Sequence, residues 1–129
     1  MNGAESLRVL VIEDFPDTAD LMAKWVELAG HSVRICHTGA EALDTAPEYQ
    51  PDVILLDIGL PDMHGWNLAC FFRNDSALSR TKIIAVTAYT TEEDRRRSEE
   101  LGIDVHLEKP VPHGEIARLL AQGTWRTPI

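Results

Sequence analysis

The sequence predicts an α/β fold, a doubly wound parallel sheet of five strands with helices on both faces. Short β-branched runs alternate with longer helical patterns along the chain, and two of those runs are almost wholly apolar, as strands covered on both faces must be. The length agrees: 129 residues predict one domain with a self-sufficient core, spanning about 7–122, with 123–129 as a frayed tail.

Leu7–Ile12, apolar apart from Arg8, predicts the first strand. Phe15 to Ala29 repeats apolar residues at helical spacing through Ala19, Met22 and Val26, and Gly30 supplies its cap. Ser32–Cys36 alternates as a shorter strand, and Thr38 with Glu41 forms a capping box for a helix that ends before Pro51. Asp52–Asp57 predicts the third strand. A Gly- and Pro-rich loop, Ile58–Gly65, leads to a helix from about Trp66 to Asn74, then a fourth strand, Lys82–Thr87. Thr90 and Glu93 predict a second capping box, for a polar helix that stops at Gly102. Val105–Leu107 forms the last strand, and Ile116, Leu119 and Leu120 stripe the last helix. Met22, Met63, Trp25 and Trp66 read as packing residues.

With 12 basic and 21 acidic side chains the formal charge is −9, which argues against binding to nucleic acid or to an anionic membrane surface. No apolar run approaches the ~20 residues of a membrane span, and the polar N-terminus does not read as a signal peptide. A cytoplasmic location is expected. Cys36 and Cys70 lack the spacing of a zinc site or disulfide framework.

In parallel sheets, ligands bind beyond the C-terminal strand ends. Here those ends carry Glu13 and Asp14, then Asp57, Thr87 and Lys109. Each alone could mark only where a strand meets solvent. Together they place three carboxylates, a hydroxyl and an ammonium on one edge. Clustered carboxylates with no His or Cys favour Mg²⁺ or Mn²⁺ over zinc or copper. An Asp beside such an ion is a competent nucleophile towards phosphorus, while Lys109 and Thr87 suit the phosphoryl oxygens.

These residues sit in Val11-Ile12-Glu13-Asp14, Leu55-Leu56-Asp57-Ile58-Gly59-Leu60-Pro61-Asp62-Met63-His64-Gly65, Ala85-Val86-Thr87-Ala88 and Glu108-Lys109-Pro110. In that order and spacing the chain closely resembles the receiver domain of two-component response regulators, from about Leu7 to Gln122. The resemblance implies a flavodoxin-like sheet of order 2-1-3-4-5. It implies that Asp57 accepts a phosphoryl group from a sensor or hybrid histidine kinase, or from a histidine phosphotransfer protein. Glu13, Asp14, Asp57 and the backbone carbonyl of Gly59 would hold Mg²⁺, Lys109 would contact the phosphoryl group, and Thr87 would move on phosphorylation. Lys109-Pro110 would be a cis peptide. Such a domain catalyses only its own phosphorylation and dephosphorylation and acts in signalling, not as a metabolic enzyme.

The aromatic switch residue usual three positions before the lysine is here His106, which reads either as a switch or as an exposed histidine on an edge strand. Gly59 and Tyr89 occupy positions that, by the same resemblance, tune phosphoryl lifetime. The polar helix, with Leu101 its one clear apolar residue, reads either as a mobile partner-binding face or as a solvated helix. A Mg²⁺-dependent aspartyl-phosphate phosphatase of the haloacid-dehalogenase type would need an Asp where Gly59 stands. A flavin-binding module would need a Ser/Thr/Gly-rich phosphate loop where Glu13-Asp14-Phe15-Pro16 would repel the FMN phosphate. A phosphorylation-independent interaction module would not need the full set of site residues. A stand-alone receiver, a piece of a longer regulator and the receiver of a hybrid kinase all fit the sequence.

Overall fold

The computed structural model describes residues 6–88 and 91–122. The elements run β1 Arg8–Ile12, α1 Pro16–Leu28, β2 Ser32–Cys36, α2 Gly39–Tyr49, β3 Val53–Leu56, α3 Gly65–Asn74, a short 3₁₀ turn Ser76–Leu78, β4 Lys82–Thr87, α4 Glu92–Glu100, β5 Val105–Glu108 and α5 Glu115–Ala121. Every strand pairs in parallel, in the order β2-β1-β3-β4-β5. The doubly wound sheet expected from the sequence is present, in the strand order that the resemblance implied. The 3₁₀ turn was not expected.

The period-two alternation of the strands divides the core between the two sheet faces. Leu10, Ile12, Ile54, Leu56, Ile83 and Ala85 meet α2 and α3 through Ala42, Ala46, Leu68, Ala69 and Phe72. Val9, Val11, Val53, Leu55, Ile84 and Val86 meet α1 and α5 through Ala19, Met22, Val26, Ile116, Leu119 and Leu120. Trp25 packs on this second cluster, while Met63 and Trp66 pack on the first, as expected of them.

The helix ends need three corrections. The capping box of α4 lies one residue beyond the expected pair: Thr91 Oγ1 accepts the Asp94 N–H at 3.0 Å, and Asp94 Oδ2 accepts the Thr91 N–H at 3.3 Å. The run Thr-Thr-Glu-Glu-Asp satisfies the capping pattern in two registers, and the extended backbone of Thr91 selects the second. Thr90 and Tyr89 lie outside the described residues, as does the expected tail, 123–129. Ala29, not Gly30, caps α1, and Gly30 follows at φ +96° to reverse the chain. On α2, Thr38 accepts the Glu41 N–H as expected, but the Glu41 carboxylate accepts from His37 N–H at 2.8 Å instead of closing the box.

Candidate functional site

The ladder continues past the strand ends. Glu13 N–H donates to the Cys36 carbonyl, Asp57 N–H to Ile12 and Lys109 N–H to Thr87, each at 3.0 Å. Side-chain alternation therefore carries on into the loops. Val9-Val11-Glu13, Val53-Leu55-Asp57 and Val105-Leu107-Lys109 each point to the α1/α5 side, so two acids and a cation from three strands converge there. Thr87 follows Ile83 and Ala85 in alternation and is fully buried.

Lys109 Nζ donates to Glu13 Oε1 at 2.6 Å and to Asp57 Oδ2 at 3.4 Å. The other oxygen of each carboxylate is held by backbone: Glu13 Oε2 accepts Phe15 N–H and Asp57 Oδ1 accepts Gly59 N–H, both at 3.1 Å. Glu13 is 1% exposed and Asp57 7%. Burial pushes the Glu13 carboxyl above its ordinary range, against the hydrogen bond from Lys109. Burial alone would lower Lys109, but the bonds to Glu13 and the charge of Asp57 outweigh it and hold the ammonium protonated to higher pH.

Ligand oxygens of Glu13, Asp14 and Asp57 all lie within 4.8 Å of one another, and Asp14 is exposed. Three hard oxygen donors at this spacing, one of them open to solvent, fit a hydrated Mg²⁺ or Mn²⁺. Gly59 lies immediately beside the cluster in an exposed turn, where Gly65 N–H donates to Ile58 O at 2.8 Å and Gly59 bridges to His64. A Cβ on Gly65 would fall 2.6 Å from Ile58 Cα, so only glycine lets this loop close. The Lys109-Pro110 peptide is cis.

His106 sits half-buried on β5 in register with Ala85, two residues in register from Thr87, and its carbonyl faces Arg95 Nη1 at 3.5 Å. Tyr89 lies outside the described residues. Two contacts were not anticipated from sequence. His37 Nδ1 lies 3.0 Å from the Glu13 carbonyl, and Asp62 reaches the start of α2. Neither has a local sequence pattern, because each partner is more than twenty residues away. Beside Lys109 a cavity of about 400 Å³ opens between α1 and the segment after β5, lined by Thr18, Leu21, Met22, Trp25, Pro110 and Val111.

A family model described as response regulator receiver domain matches residues 9–121. The polar-differentiation response regulator DivK of Brucella ovis is 33% identical over 103 residues, covering 80% of this chain and 84% of that protein. The chemotaxis protein CheY4 of Vibrio cholerae superposes with a TM-score of 0.85 at 26% identity, over 90% of this chain and 97% of its own. The receiver domain of the sensor histidine kinase PA1611 from Pseudomonas aeruginosa PAO1, with a magnesium ion coordinated in its active-site cleft, gives a TM-score of 0.81 at 28% identity, covering 90% of this chain and 95% of that one.

Proposed function

The chain belongs to the response regulator receiver domain family, and from that premise we propose that it takes a phosphoryl group from phosphohistidine onto Asp57 and so switches a protein-binding surface. The observation that carries this reading is the Asp57 carboxylate, held between Gly59 N–H and the Lys109 ammonium inside a cluster of three acids.

Glu13, Asp14, Asp57 and the Gly59 carbonyl would hold Mg²⁺ or Mn²⁺, which when bound would supply positive charge for the incoming phosphoryl oxygens. An Asp57 oxygen attacks phosphorus while the P–N bond breaks, and the imidazole leaves with the bonding pair. Gly59 N–H holds the second Asp57 oxygen and fixes the direction of attack. Lys109 turns its N–H groups from Glu13 to the transferred oxygens, a move of one flexible side chain. Thr87 then reorients its hydroxyl toward the phosphoryl group and His106 follows, while Gly59 and Tyr89 set water access and hence phosphoryl lifetime. The domain catalyses only its own phosphorylation and its own dephosphorylation.

The donor is a sensor or hybrid histidine kinase, or a histidine phosphotransfer protein, in the cytoplasm. The apolar cavity beside Lys109, with Phe15 exposed at the start of α1 and Leu21 along it, supports a protein donor. The formal charge of −9 weighs against nucleic acid and an anionic membrane surface. Among the described residues no helix is long and apolar enough to cross a membrane. Residues 7–122 are read as one receiver unit, whether or not they belong to a longer protein.

Intact mass after incubation with an acyl phosphate tests the reading. Wild type should gain one phosphoryl group only with Mg²⁺, and Asp57→Asn should gain none. Persistent labelling of Asp57→Asn would overturn the assignment.

A further inference from the structure

Asp62 stands at the far side of the loop that carries the acceptor, and it is exposed. Its two carboxylate oxygens accept the N–H groups of Gly39 at 2.9 Å and Ala40 at 3.0 Å. These are two of the four amides that the start of α2 leaves without helical acceptors, and Thr38 takes a third, that of Glu41. The two N–H groups hold the Asp62 carboxyl below its ordinary range. Met63 tightens the same joint: a Cβ on Gly39 would lie 3.0 Å from Met63 Cβ. Helix α2 is itself fixed on the sheet through Ala42 and Ala46.

Three residues before Asp62, the Gly59 N–H holds the acceptor carboxylate. Between them stand Leu60, which is buried, and Pro61, which is exposed and whose ring fixes its own φ. Little slack separates the anchor from the acceptor.

We infer that Asp62 is a positioning residue for phosphoryl transfer: by fastening the acceptor loop to the start of α2, it fixes the Gly59 peptide group beside Asp57 and the proposed cation. The metal and transfer aspects rest on the receiver reading above. The anchoring of the loop does not.

The test compares Asp62→Ala and Asp62→Asn with Thr38→Ala, which uncaps the same helix without touching the loop. Amide hydrogen exchange across residues 58–65 in EDTA, Mg²⁺ affinity by calorimetry and the rate of labelling by an acyl phosphate are measured for each. Asp62→Ala should speed loop exchange relative to the sheet, weaken Mg²⁺ by about tenfold and slow labelling to match. Asp62→Asn, which keeps the shape and one acceptor oxygen, should fall between it and wild type, and it carries the test if Asp62→Ala does not fold. Thr38→Ala should lower the melting temperature yet leave loop exchange and Mg²⁺ affinity near wild type. Wild-type loop exchange in both Asp62 variants, or a Thr38→Ala that matches Asp62→Ala in every readout, overturns the inference. A wild type that binds no Mg²⁺ and takes no phosphoryl group overturns the receiver reading and the metal part of this one, while exchange in EDTA still decides the anchoring.

Discussion

The two edges of the sheet are built on opposite electrostatic plans. At the edge where the strands begin, donors and acceptors are matched. Arg73, at the end of α3, donates to the carbonyls of Gly102 at 2.8 and 3.0 Å and Thr81 at 2.7 Å, and to Asp104 Oδ2 at 3.0 Å. Asp104 in turn accepts Ile83 N–H at 2.8 Å, and Arg8 reaches the Gln50 carbonyl at 2.9 Å while its N–H donates to Asp52. At the edge where the strands end, three carboxylates cluster and the Lys109 ammonium binds two of them, Glu13 and Asp57. The same sheet is thus cross-braced below and charge-crowded above. Local conflict of this kind is expected where a protein keeps a site ready for a ligand rather than for its own stability.

Removing the brace should give the largest effect. Arg73→Ala removes a donor from three backbone carbonyls, those of Gly102, Thr81 and Leu78, and from the Asp104 carboxylate. It should lower unfolding free energy by about 2–3 kcal/mol in denaturant melts. A loss under about 1 kcal/mol would mean that this edge does not depend on Arg73.

The crowded edge should respond to cation instead. Mg²⁺ at about ten times its dissociation constant should add about 1.4 kcal/mol by mass action. Because the edges share no partners, Arg73→Ala should show the same increment within about 0.5 kcal/mol, read from paired melts with Mg²⁺ or EDTA. Unequal increments would show that the two edges are coupled.

Removing one charge should have a smaller effect of the same sign. A charge pair at ~5 Å repels by about 3 kcal/mol at an effective dielectric of ~20, before relaxation and the Lys109 offset. Asp57→Asn and Asp14→Asn should each raise the melting temperature in EDTA and shrink the Mg²⁺ increment, with a net gain of about 1 kcal/mol for the buried Asp57. Variants no more stable than wild type would show that Lys109 already balances the cluster.

Asp62 differs from the buried acids of the crowded edge in that both of its donors are backbone N–H groups of a helix start, and its signature is the smallest. Its folded pKa lies below the ordinary 3.8, so the native state binds fewer protons than the unfolded chain as pH falls through that region. The stability it contributes is complete above the ordinary value and disappears as pH falls through the folded one. The difference between wild type and Asp62→Asn should therefore be flat near pH 6 and close towards pH 3, in urea melts across about that range. A difference that widens in acid would contradict the hydrogen bonds described.

The crowded edge was legible in the sequence because it follows from backbone alone. Apolar runs mark β1, β3 and β4, and the first polar residue past each run must surface on the same edge. The shared facing of Glu13, Asp57 and Lys109 was equally available, since it needs only the alternation counted two residues further. The brace was not legible. Arg73 binds carbonyl groups up to twenty-nine residues away, and carbonyls leave no mark in a sequence. Helix α4 misled for a related reason. Counting apolar residues gave it only Leu101, yet its buried residue is Ser98, a side chain that belongs inside only because Trp66 brings it a donor.

That last contact has a spectroscopic consequence. The indole N–H of Trp66 donates to Ser98 Oγ at 3.0 Å, and the Arg97 guanidinium lies 5.9 Å from the ring centroid. Indole protons resonate apart from backbone amides, and with three tryptophans in the sequence the indole region of a proton–nitrogen spectrum holds few lines. The Trp66 line belongs to a proton shared between α3 and α4. Its replacement by deuterium requires that hydrogen bond to open, so its decay in heavy water reports how readily the contact between the two helices is broken. The chain carries a built-in reporter on α4, a helix with the single buried residue Ser98, readable before and after a phosphoryl group arrives.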